Sequence, residues 1–182
     1  MLDLLQQHLS KCFTVFQETG CDLNSFQTFL RPEQVTESAI SRVPDNVFKL
    51  ILSIPIMLRE LGQLIYTPNL TLEMRALAGG IYSYVFNPFD YINEEVVGFL
   101  GFIDDALIVF YGMKLIESID DKIRFTTIHN TDLESAVEEC EKLLIEDLVL
   151  ALKAYPQQVS GILSTANLKT NEVSCFPETI VP

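Results

Sequence analysis

Asp104 and Asp105 stand side by side in "NPFDYINEEVVGFLGFIDDALIVF", residues 87–110, inside an otherwise almost unbroken apolar run. Together with Asp90, Glu94 and Glu95 upstream, they could gather a divalent cation, which takes several oxygen ligands, and so serve a metal-dependent enzyme. The spacing argues against a ready ligand set, because neighbouring side chains on a helix point about 100° apart. No DDxxD spacing, HD pair, GxSxG or phosphate-binding loop accompanies them. Asp90, two residues after Pro88, also suits a turn or the cap of the following helix. A buried acid is equally tolerable when a base is held against it. No cofactor is implied.

Other chemistry-bearing residues are sparse. His8 and Cys12 share an i, i+4 spacing, yet a structural zinc site needs about four ligands and nothing nearby completes one. His129 has no acid or nucleophile partner by spacing. Cys12, Cys21, Cys140 and Cys175 include no CxxC pair. The opening "MLDLLQQHLSK" lacks the basic stretch and apolar core of a signal peptide. Reduced thiols in a cytoplasmic compartment are therefore expected.

Charge supplies the other signal. The chain carries 25 acids against 12 bases, a formal net charge of −13, which repels nucleic acid and anionic membrane surfaces. Residues 117–147 hold ten of the acids and only three bases. Glu134, Glu138 and Glu141 in this segment are the expected contacts for a basic protein partner. The apolar stretch Val96 to Met113 is long enough to span a bilayer. Its two central aspartates would each cost about 2.5–3.5 kcal/mol there. A buried core helix is the better reading, and a membrane-associated protein the lesser alternative.

The elements that must position these residues are helical. Leu2, Leu5, Leu9, Phe13 and Phe16 recur at helical spacing. A helix from Pro44 or Asp45 should kink at Pro55. Another runs from about Asn69 or Thr71 to Phe86, where Asn87-Pro88 stops it. An apolar helix from about Glu94 to Ile119 follows. Thr131 and Glu134 read as a capping box opening a helix to about Ala154, ended by Pro156. The expectation is an all-α, compact bundle of roughly six or seven helices around an antiparallel helical hairpin at 70–119. Residues 1–155 would form the domain and 156–182 a C-terminal arm or tail.

Within that hairpin, Arg75 lies twelve residues before Asn87 and Asp105 twelve residues after Asn93. Antiparallel helices would bring them to one height, with glycines allowing close approach, so Arg75 is expected to pair with Asp104, Asp105 or both.

The stretch "RALAGGIYSYVFNPFDYINEEVVGFLGFIDDALIVFYGMKLI" resembles the helical-hairpin family known as the YkvA-like domain of unknown function, DUF1232. That family's pattern resembles K-x(8)-Y-x(3)-P-x-D-x-I-P-D followed by G-x-x-D-D. Arg75 stands at the basic position, and Tyr84, Pro88, Asp90, Ile92, Gly101, Asp104 and Asp105 match in spacing. Asn93 replaces a proline, Glu94 stands for the acid after it, and the second proline is absent. The resemblance implies a hairpin and no particular reaction. Size, acidity and lack of a catalytic signature point to a non-catalytic binding protein, such as an inhibitor or immunity protein.

Overall fold

The helix that carries the aspartate pair is apolar on every side, and a helix of that kind must be surrounded. In the computed structural model it is. The residues described are 1–19, 23–35, 43–68, 70–87 and 90–173. The fold is all-α, and the described residues contain no strand, only one isolated bridge between Leu30 and Leu144. We number the helices α1 (Leu2–Thr19), α2 (Leu23–Phe26), α3 (Asp45–Leu52), α4 (Ile54–Ile65), α5 (Leu72–Tyr84), α6 (Glu94–Val97), α7 (Ile103–Ile119), α8 (Thr131–Leu143) and α9 (Glu146–Val173). Helices α3, α4, α5 and α9 all pack against α7. They bury Ala106, Leu107, Ile108, Val109 and Met113 completely. The segment Glu94–Ile119 could cross a membrane by length and composition, but 83% of its most apolar window is buried inside the bundle. Its neighbours therefore account for its hydropathy.

Several expected boundaries are met and several move. Ser53 separates α3 from α4, and Pro55 occupies the first turn of α4, where its missing N–H costs nothing. Thr71 caps α5 by accepting from the Met74 amide at 3.2 Å. The start at Asn69, and residues 88 and 89 of the connector between α5 and α6 (residues 85–93), lie outside the described residues, as do Cys21 and Cys175.

The expected single helix from Glu94 to Ile119 is broken. After α6, Gly98 takes φ +73°, a conformation that favours glycine. A 3-10 stretch, Gly98–Phe102, then leads into α7. The expected helix from Thr131 to Ala154 is broken too. Asn130, not Thr131, is the cap of α8, accepting from the Asp132 amide at 2.8 Å. Leu144 turns extended and bridges to Leu30, while Arg31 donates to the Leu144 and Glu141 carbonyls at 2.9 and 3.2 Å. Those contacts supply partners for carbonyls that a helix end leaves open. Beyond them, α9 runs through Pro156 to Val173, so no break falls at residue 155.

On the remaining flank, Leu5 and Leu9 bury the inner face of α1. Phe13 and Phe16 of α1 meet Phe48 of α3 and Phe99, with ring centroids 5.1–6.1 Å apart.

Candidate functional site

The break at Gly98 decides where the aspartates lie. Because the chain turns there, α7 starts next to the connector rather than two turns above it. Asp104, in the first turn of α7, reaches back to the end of α5 and to the connector. Its Oδ2 accepts from the Tyr84 hydroxyl at 2.8 Å, the Tyr91 amide at 3.0 Å and the Ile92 amide at 3.2 Å. The Tyr91 amide also meets the Tyr84 hydroxyl at 3.2 Å. One carboxylate oxygen thereby fastens the top of the hairpin. Tyr84 itself is held edge-on by Tyr155 of α9, with centroids 4.9 Å apart.

Arg75 does not make the expected ion pair with Asp104 or Asp105. Its guanidinium donates to the carbonyls of Ile65, Thr67 and Leu70 at 2.6, 2.9 and 3.3 Å. These carbonyls lie at the end of α4 and in the loop after it, where helix geometry leaves acceptors open. The expectation assumed continuous helices on both sides of the connector. With α7 beginning only at Ile103, Arg75 and Asp105 are at opposite ends of the hairpin. The glycines likewise part company. A Cβ on Gly112 would strike Ile81 of α5, one on Gly80 would strike Val159 of α9, and one on Gly101 would strike the Glu94 backbone.

Among the described residues, no ion pair joins a base to the acids of the hairpin. Asp104 and Asp105 are the buried charged residues among those described, 0% and 3% exposed. Asp90 Oδ1, Asp104 Oδ1 and Asp105 Oδ1 are buried with no hydrogen-bond partner. Asp90 is not the cap of α6. Asn93 fills that role, accepting from the Glu95 amide at 2.7 Å, and the Asp90 carboxyl lies within hydrogen-bonding reach of Glu94. Burial, that contact and the charges of Asp104 and Glu94 push Asp90 up to about 7. Burial raises Asp104 to about 6 against the lowering effect of its hydroxyl and amide donors. Asp105 is raised well above the ordinary carboxylate range by burial and by the charges of Asp104, Asp90 and Glu94. Burial and the neighbouring Asp104 push the Tyr84 hydroxyl upward, so it remains a donor.

Among the described residues, no group of three or more His, Cys, Asp or Glu side chains could hold a metal ion.

The remaining candidates resolve as follows. His8 Nε2 lies 3.7 Å from Cys12 Sγ at the wall of a cavity of about 460 Å³ between α1 and α6, bordered also by Phe16, Val96 and Phe99. Burial raises the Cys12 thiol, which disfavours the thiolate needed for nucleophilic chemistry. His129, given no partner by the sequence, meets Glu117 Oε2 at 2.7 Å. Of the three expected contact acids, Glu134 pairs with Lys114 at 2.8 Å and Glu138 with Lys142 at 3.8 Å. Glu141 is engaged within the bundle, accepting from Tyr111 of α7 and Lys153 of α9, each at 2.7 Å.

Residues 74–111 match the model of a protein family of unknown function, DUF1232. No curated protein and no solved structure matches the chain. The matched segment contains Tyr84, Asp90, Glu94, Asp104 and Asp105, and excludes the acids of α8.

Proposed function

We propose that the protein is a non-catalytic acidic binding protein that engages a basic protein partner, in the manner of an inhibitor or immunity protein. The observation that carries this reading is an exposed acidic surface. Asp121, Asp132, Glu138, Glu146 and Asp147 are all exposed, within the segment that concentrates the negative charge. Glu134 and Glu141 serve the fold instead, tying α8 to α7 and α9. The partner-facing set is therefore Asp132, Glu138 and Glu146. Charges of one sign on a surface speed encounter with an oppositely charged partner and set its orientation. The cysteines Cys12 and Cys140 are free, which suits a cytoplasmic setting.

The test uses a variant with Asp132, Glu138 and Glu146 reversed to Lys. Wild type, immobilised in native lysate, should retain a Lys/Arg-rich protein that elutes as salt rises. The reversed variant should fold normally and lose that protein. Salt-independent binding, or equal binding by both forms, would sink the reading.

A further inference from the structure

The acids at the top of the hairpin present a chemical imbalance that the proposed surface does not use. An ionised carboxylate can only accept hydrogen bonds. Asp90, Asp104 and Asp105 each bury an oxygen that receives none. Asp90 and Glu94 lie within hydrogen-bonding reach of each other, and two carboxyls can bond only if a proton lies between them. A proton turns one acceptor into a donor and can satisfy two of these oxygens at once.

Among the described residues, no ion pair joins a base to these acids, and Arg75 is committed to the carbonyls after α4. From α5 the cluster meets the Tyr84 hydroxyl, with Tyr155 of α9 behind it. From the connector it meets the Tyr91 and Ile92 amides. From α1, Cys12 faces Glu94, with Lys11 and His8 beside Cys12.

We infer that Asp90, Glu94 and Asp105 form a proton-operated latch beside the Asp104 anchor, which clasps the connector to α7 while it holds protons and loosens the connector when they leave. The moving side is set by packing. Asp104 and Asp105 sit in the buried first turn of the central helix. Asp90 and Glu94 belong to the thinner, partly exposed connector and α6, where Tyr91 is 40% and Val96 61% exposed. Repulsion among four charges would displace these. Glu95, Val96, Val97 and Gly98 also form one wall of the cavity against α1, so the latch controls its shape.

The raised affinities of Asp90 (about 7), Asp104 (about 6) and Asp105 agree with this geometry. The sign follows from linkage. An acid that binds its proton more tightly when folded stabilises the fold at low pH. That stability is lost as pH rises from the unfolded value, about 4, through the folded values.

The test combines a carboxyl-carbon NMR titration of the wild type with amide exchange corrected for the intrinsic pH effect. Asp90 should titrate near 7 and Asp105 above the ordinary carboxylate range, about 4. Protection of Tyr91 and Ile92 should fall by about tenfold or more between pH 5.5 and pH 8, relative to α3. Asp105→Asn, which resembles the protonated acid, should keep the connector protected at pH 8. Glu138→Gln, which removes the same charge from the surface, should not. Titration of both acids near 4, or unchanged connector protection across this range, would overturn the latch. Should Asp105→Asn fail to fold, the wild-type titration and exchange still decide the matter.

Discussion

The Tyr84 hydroxyl and Asp104 Oδ2 meet at 2.8 Å, joining the last residue of α5 to the first turn of α7 across the connector. The bond is buried and one partner is a carboxylate, the kind of hydrogen bond that contributes about 1.5–3 kcal/mol. Tyr84→Phe keeps the ring against Tyr155 and removes only the donor. It should cost about that amount in urea unfolding near neutral pH. It should also raise the Asp104 pKa further, because a donor to the charged form is gone. An unchanged urea midpoint would show that the two amides alone satisfy Oδ2.

Arg75 should act through α4, not through the aspartates. Arg75→Ala removes the donors to Ile65, Thr67 and Leu70, and should destabilise by about 1–3 kcal/mol. Arg75→Lys should recover little, since one ammonium cannot reproduce the fork. In a double-mutant cycle with Asp105→Asn, the losses should add to within about 0.5 kcal/mol. A larger coupling would restore the ion pair that the sequence suggested.

Two glycines should respond in opposite ways. A Cβ on Gly101 would overlap the Glu94 backbone, which cannot rotate aside. Gly101→Ala should therefore cost about 1–3 kcal/mol, the usual penalty of overpacking. Around Gly79, inside α5, a Cβ meets nothing within 4 Å. Gly79→Ala should be neutral or stabilise by up to about 1 kcal/mol through helix propensity. Thermal melts of both variants check the pair, and similar losses would contradict this placement of α6.

On the acid side, stability should fall for a different reason. Burial tends to raise Glu117, but the Phe125 amide, His129 and Arg124 together hold it below the ordinary range. A depressed acid contributes stability above its unfolded pKa, about 4.3, and loses it as pH falls through the folded value. Denaturant midpoints should therefore pass through a maximum between this acid limb and the loss from the hairpin acids as pH rises toward neutral. Glu117→Gln should flatten the acid limb alone. An acid limb of unchanged slope would place its origin elsewhere.

The sequence by itself determined the helical class, the hairpin at 70–119 and the burial of α7. These rest on apolar spacing and on prolines, which act within a turn or two of chain. It also located the acids, and the spacing that includes Tyr84, Asp90, Asp104 and Asp105 marked them as a group. It did not determine what they touch. One positive φ at Gly98 ends α6 and resets the height of Asp105, a change that residue counting along a continuous helix cannot register. The extended residue Leu144 depends likewise on Leu30 and Arg31, more than a hundred positions away. Arg75, long and forked, takes the partners that three-dimensional packing brings within reach, and these proved to be the open carbonyls after α4. The acids were left to one another because only the folded chain sets where a base ends up.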